Sequence, residues 1–514
     1  MTRLFLVLTV LASTIVGAHL GGKRLSNPFL HYDIAFTEAA RDSDQVRFPD
    51  HGSLSGARYG KGRQFWMIAL GNLLGLESQI PLQFLPVGSM LLSMAYFAIF
   101  KRLLGSNVMA SAMTLHQMIN PSQLLGIYGT FAYGLGMTLY LGILLLLVRT
   151  LEKKHPAGIV VLFFIGAAIN FVHYAFTVWV ILTVLILDLW IRLGRRHSQE
   201  HATVREARHL LPFALFMLVV FLTCNEAFYD SYLAHVGDAK TLGGGWAVFF
   251  NRLPWIRTAA GEAAYEFAYR RSDLISVLST LHLLLIVVPV ILGVSSWVTA
   301  RARGSTIHPR AIAGLLVWAL IPVGVIDTAI YALRGNIGVK YSVLVYPMAT
   351  VWFVKRMVGK KLALIGSILM LGLSATRLGV ELREGQLALD PLSYSEAKTA
   401  TEWYHQHAVV SGGPVFSDLN LYGKLLVEGV AYEHRPGLLV ITPDVYDWLL
   451  GRNSPRVEDI TENDYLFLDV GSDAPLETPF WRSLEPLRRY RDRITDGNAT
   501  VRLYDDGDVW IMRP

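Results

Sequence analysis

Apolar stretches of about twenty residues, nearly free of charge, recur along this chain, and each is long enough to cross the hydrocarbon core of a bilayer. The runs Leu141–Val148, Val178–Leu187 and Leu283–Leu292 are the cores of three of them. A chain with many such stretches cannot fold as a single water-soluble domain, because most of its apolar surface has to face lipid. Composition agrees: 53% of the 514 residues are hydrophobic, 17% are charged, and the mean hydropathy is +0.40. Soluble domains carry nearer a quarter charged residues.

The hydropathy pattern predicts eleven spans, at about 4–20, 81–100, 104–119, 128–149, 157–171, 174–192, 210–226, 274–298, 311–331, 340–355 and 361–377. The first reads as a retained helix rather than a cleaved signal peptide. Charge tests this list. With the N-terminus in the cytoplasm, the inner ends receive Lys101-Arg102, Arg149 with Lys153-Lys154, and Arg192 with Arg195-Arg196, Arg205 and Arg208. Arg301, Arg303 and Arg310 follow, then Lys355-Arg356 and Lys360-Lys361. Every predicted inner loop is thus rich in Lys or Arg, as the positive-inside rule requires. The net charge of +6 and pI near 9.2 therefore report membrane topology rather than a nucleic-acid surface. The fold class that follows is mainly α: a polytopic helix bundle spanning residues 1–380, with a small α/β domain at 381–514 outside the cytoplasm.

Two long outer loops are expected, at about 21–80 and 226–273. In the first, Phe65–Leu76 reads as an interfacial helix. In the C-terminal part, Ala397–His407 and Leu419–Glu428 have helical patterns, while Val415–Ser417 and Asp464–Val470 read as strands. Ala499–Tyr504 and Val509–Met512 suggest a hairpin around Asp505-Asp506-Gly507. The one cysteine, Cys224, lies in an apolar run and reads as a small buried residue without disulfide or metal chemistry.

Candidate chemistry collects at the outer side. The first loop carries His31-Tyr32-Asp33 and then Glu38. A carboxylate held among aromatics beside the bilayer can serve as a general base or orient a divalent cation; an ordinary solvated loop acid fits the same spacing. His173, between two apolar spans, needs a partner for its ring; His116 and Asn120 lie at similar depth, and a satisfied packing histidine or a turn residue fits each of the three equally. Arg334 and Lys340 flank a Gly-containing outer turn that suits a bound phosphate group, Arg as a bidentate donor and Lys as a point charge; the alternative is that they snorkel to ordinary lipid phosphates. Asp327, deeper in the same helix, is placed to pair with Arg334. The chain has no Walker loop, dinucleotide fingerprint, HExxH or clustered Cys/His ligands.

These pieces in this order resemble the C-fold (GT-C) membrane glycosyltransferases, which include oligosaccharyltransferase catalytic subunits and protein O-mannosyltransferases. The resemblance covers essentially the whole chain. Its local carriers are His31-Tyr32-Asp33 followed by Arg47–Gly56, the Gly- and Leu-rich stretch Gly129–Leu147, Asn170–Tyr174, and Lys340-Tyr341 leading to Pro347. It implies a sugar donor on a polyprenyl phosphate or diphosphate, in contact with membrane lipids. Asp33 becomes the catalytic acid or a ligand of Mg or Mn, and Lys340 with Arg334 the phosphate holders. His31, Glu38, His173 and Tyr341 become site-lining residues. A metal-independent route fits equally, and the acceptor is unspecified. The tryptophan–aspartate motif that reads an acceptor sequon is absent, so the resemblance does not extend to protein N-glycosylation. The alternative reading is a non-catalytic protein that binds or transports a lipid-linked sugar, or assembles an envelope polymer.

Overall fold

The computed structural model describes residues 2–22, 62–75, 87–121, 131–152, 156–195, 207–224, 273–302, 312–334, 342–383, 394–407, 415–417, 421, 425, 438–440, 464–471 and 501–513. Each predicted span coincides with a helix. The bundle consists of α1 (Thr2–Gly22), α2 (Gly62–Leu73), α3 (Val87–Leu104), α4 (Asn107–Ile119), α5 (Phe131–Glu152), α6 (Pro156–Val172) and α7 (Tyr174–Arg195). It continues with α8 (Leu210–Cys224), α9 (Asp273–Ala302), α10 (Ile312–Arg334), α11 (Ser342–Met357) and α12 (Lys360–Arg383). The additional helix α2 is the predicted interfacial one; it rests against α5 and α6.

The bundle has an apolar core but, unlike a water-soluble protein, also exposes long rows of apolar side chains on its outside. Leu4, Val7, Leu8, Leu11 and Ile15 line one exposed face of α1, and α8, α9 and α12 expose similar rows of leucine, valine and isoleucine. Thr9, Ser13, Ser93, Thr114, His116, Asn170, Thr183 and Ser374 are buried instead. Apolar side chains facing outward, with the polar ones kept inside, are what a lipid solvent selects, since a buried polar group finds partners that hydrocarbon cannot supply. Among the described residues, the helices within Gly134–Glu152, Ala175–Arg192, Ala207–Cys224 and Lys360–Arg383 are long and apolar enough to cross a membrane. By contrast α4 has thirteen residues, about 20 Å, and falls short of a core of about 30 Å.

Short connections set the geometry. Gly105, at φ +66°, ends α3, and Ser106 caps α4 by accepting from Met109 N–H. Only a residue free to adopt positive φ turns the chain this sharply. Lys355 Nζ, from the last turn of α11, donates to the Leu104 carbonyl at 2.6 Å and so satisfies a terminal acceptor of α3. The core helices pack in a chain of neighbours: α4 on α3 and α12, α9 on α11 and α12, and α10 on α7 and α11.

The C-terminal region forms a five-stranded mixed sheet in the order β2-β1-β3-β5-β4, from β1 (Val415–Ser417), β2 (Leu438–Val440), β3 (Tyr465–Asp469), β4 (Val501–Asp505) and β5 (Val509–Arg513). Strand β1 runs parallel to β2 and β3, and β5 antiparallel to β3 and β4. Every residue of β3 is buried, as expected of a strand covered on both faces. Helix α13 (Tyr394–His407) packs on β5, and its Tyr404 meets the edges of the Tyr465 and Phe467 rings. The predicted hairpin is present, with Gly507 at φ +97° in its turn. Cys224 corrects an expectation: it is exposed, because it ends α8 rather than lying within it.

Candidate functional site

The two ends of the bundle differ chemically. At one end meet the C-termini of α3, α5 and α11. There Arg102 of α3 pairs with Glu152 of α5, and Lys355 caps α3. Arg192 Nε donates to Asp188 at 2.6 Å near the C-terminus of α7. These cations belong to the predicted cytoplasmic set.

The other end holds buried polar groups, on the C-terminal halves of α4 and α12 and the N-terminal half of α9. His116 has no exposed surface and His282 only 5%, and their rings meet edge to face at 5.0 Å between centroids. Ser374 Oγ lies 2.9 Å from His116 Nδ1, and the Met370 carbonyl oxygen 3.3 Å from the same nitrogen. One turn beyond Ser374, the Arg377 guanidinium donates to Glu381 at 2.5 Å with both side chains buried. The Arg377 guanidinium lies within electrostatic range of the His282 ring. Gln117 and Asn120 on α4 and Thr280 on α9 are buried beside these groups in sequence.

Local sequence explains the placement. On α12, Ala363, Ser367, Met370, Ser374, Arg377 and Glu381 are the buried residues, spaced alternately four and three apart. That period defines one face of a helix, and the face turns from small and apolar to charged toward its C-terminus. The Nε2 atoms of His116 and His282 have no hydrogen-bond partner among the described residues. Leaving a buried polar atom unsatisfied costs about 1–3 kcal/mol, so two in contact mark a place where packing alone does not explain the residues.

The residues expected from sequence are placed as follows. Asp33, His31, Glu38, Lys340 and Tyr341 lie outside the described residues. Arg334 is the last residue of α10, with its side chain outside the description, as is its expected pairing with the buried Asp327. His173 sits at the junction of α6 and α7. Its Nδ1 accepts from Ala175 N–H at 3.3 Å, and its ring meets Phe176 edge-on at 5.5 Å, so it caps the start of α7. His116 and Asn120, expected at the outer edge of their helix, are buried there. Sequence reading missed His282, Arg377 and Glu381. The signal was available in the heptad-like spacing of the polar residues on α12 and in a lone histidine within the leucine run of α9.

Among the described residues no group of three or more His, Cys, Asp or Glu side chains could hold a metal ion. Glu381 is engaged by Arg377, and Arg377 places positive charge beside His282. The arrangement is therefore suited to hydrogen bonding with neutral polar groups rather than to binding a cation.

No protein-family model matches the chain, and no curated protein matches it. Eighteen chains of solved structures do. Over its full length the chain superposes on the arabinofuranosyltransferase AftD from Mycobacteria with a TM-score of 0.51 at 13% identity, covering 40% of that protein. It spans about two fifths of the arabinofuranosyltransferase. A second match, at a TM-score of 0.46 and 11% identity, is the Archaeoglobus fulgidus oligosaccharyltransferase tethered to an acceptor peptide containing the NVT sequon; it covers 90% of this chain and 69% of that one. The chain is a membrane protein with a GT-C-like fold, a polytopic helical bundle followed by a small C-terminal sheet.

Proposed function

We propose that the protein is a membrane glycosyltransferase that moves a sugar from a polyprenyl-phosphate-linked donor to an acceptor at the outer face of the membrane. The observation that supports this reading is the superposition of the whole chain on about two fifths of an arabinofuranosyltransferase. The chemistry of the chain is consistent with it. Asp33 follows α1 and, as general base, would take the proton of the acceptor hydroxyl as that oxygen attacks the anomeric carbon. Arg334 and Lys340, at and after the end of α10, would neutralise the negative charge that grows on the departing phosphate. His31, Glu38, Tyr341 and His173 would line the same end of the bundle. A divalent cation, Mg or Mn, bound at Asp33 is a second form of the same proposal.

The test is turnover. Purified protein in lipid is mixed with a panel of polyprenyl-phosphate sugars, with and without Mg²⁺ or Mn²⁺, and release of the lipid phosphate is followed for the wild type and Asp33→Asn. Release by the wild type that falls at least a hundredfold in the variant supports the proposal. Equal release by both removes Asp33 from the mechanism. Tight binding without release favours a non-catalytic carrier or assembly protein.

A further inference from the structure

We infer that the His116–His282 pair is a receiving site for a sugar hydroxyl, an inference that rests on the glycosyltransferase reading and names a subsite for it. The argument starts from proton placement on His116. The Met370 carbonyl can only accept, so its 3.3 Å contact with Nδ1 is favourable when Nδ1 carries the proton. Ser374 Oγ, 2.9 Å from the same nitrogen, then accepts a share of that N–H. The other nitrogen, Nε2, is left as a bare acceptor, fully buried and without a partner among the described residues.

His282 complements it. Its Nε2 also lacks a partner among the described residues, and its ring lies edge to face with that of His116 at 5.0 Å. No hydrogen bond among the described residues fixes the tautomer of His282, so its Nε2 can carry a proton. A group that donates to one imidazole and accepts from the other would satisfy both, and a hydroxyl is the simplest one that does so. Competing ligands fit less well. A metal cation would sit beside Arg377 with Glu381 already committed to that arginine. A phosphate would set its oxygens against the bare lone pair of His116.

Depth agrees with a ligand entering from the end where α4 and α12 terminate. His116 is three residues, about 4.5 Å, from the end of α4, and His282 nine residues, about 14 Å, from the start of α9. The hydroxyl can belong to the donor sugar or to an acceptor glycan, and the experiment separates them.

Binding of three probes is measured by titration with purified protein in lipid: polyprenyl-phosphate sugars, methyl glycosides of the same sugars, and the matching singly deoxygenated methyl glycosides. The wild type is compared with His282→Leu and with His282→Gln, which keeps a polar head. The expected result has three parts. One deoxy position weakens wild-type binding at least tenfold. His282→Leu weakens binding of the parent sugar to a similar degree and is indifferent to that deoxy position. His282→Gln falls between, and the melting temperature of His282→Leu is unchanged or higher because an unsatisfied buried atom has been removed. Binding of sugars that is identical in wild type and both variants overturns the inference and leaves the pair holding an internal water, while the glycosyltransferase reading stands. Binding of methyl glycosides but of no polyprenyl-phosphate sugar, with the same cycle, supports the subsite and assigns it to the acceptor. No binding of any probe overturns both.

Discussion

Arg377 Nε donates to Glu381 Oε1 at 2.5 Å on successive turns of α12, with both side chains buried in the bundle. A buried ion pair contributes little net stability, because desolvation of both charges offsets their attraction, yet breaking it leaves one charge buried and uncompensated. Arg377→Met is therefore expected to destabilise the bundle by roughly 3–5 kcal/mol. The double variant Arg377→Met, Glu381→Leu should recover most of that loss. Unfolding in detergent as a function of denaturant reads both. A double variant as unstable as the single one would show that the pair organises its neighbours rather than merely cancelling charge.

Helix packing gives a second prediction. A Cβ added to Gly293 on α9 would come within 2.5 Å of the Phe353 ring on α11, itself held edge-on by Trp318 and Trp352. The ring has no room to retreat, so Gly293→Ala should cost about 1–3 kcal/mol, as overpacking does. Gly142 on α5 has nothing within 4 Å of such a Cβ, and Gly142→Ala should be neutral or stabilising by up to about 1 kcal/mol. Melting temperatures of the two variants moving in the same direction would contradict the close approach of α9 and α11.

The bundle was legible in the sequence because its signal is local: about twenty apolar residues with cations at alternate ends leave few alternatives. Asp505-Asp506-Gly507 was equally legible, since a glycine at positive φ is what the hairpin turn needs. The polar cluster was only half visible. His116 stands out beside Gln117 and Asn120, whereas His282 is one residue in a leucine run, and Arg377 and Glu381 look like ordinary charges at a span end until α12 is seen to bury that face. Contacts between α4 and α12 join residues more than two hundred positions apart, which no local pattern encodes. Cys224 was misread for the opposite reason: its apolar neighbours suggested burial, but in a membrane protein apolar neighbours are as often outside.

Tyr504 gives a pH prediction in the C-terminal sheet. Partial burial, the hydrogen bond its hydroxyl donates to Asp506 Oδ2 at 2.9 Å, and the charges of Asp506 and Asp505 all hold its phenol above the ordinary tyrosine range. The folded value is raised above the unfolded one, so the associated stability is complete below about pH 10 and is lost as pH rises through the folded value. Asp506→Asn removes one charge, so tyrosinate absorbance in that variant should appear at lower pH than in the wild type. Superimposable ultraviolet titrations would show that Asp506 does not act on Tyr504.

The single cysteine tests the orientation on which the proposed site depends. Cys224 is exposed at the C-terminus of α8, with its Sγ 3.6 Å from Thr223 Oγ1. The positive-inside assignment places Arg205 and Arg208 at the cytoplasmic end of this helix and hence Cys224 at the outer end, together with His116, Arg377 and Glu381. A membrane-impermeant maleimide should then label the wild type in right-side-out vesicles and leave it unlabelled in sealed inside-out ones, with Cys224→Ser as the blank. Because the chain has one thiol, each labelling event reports one position. The reverse pattern would turn the whole bundle over, carry the buried polar cluster and Arg334 to the cytoplasmic side, and remove the basis for transfer at the outer face.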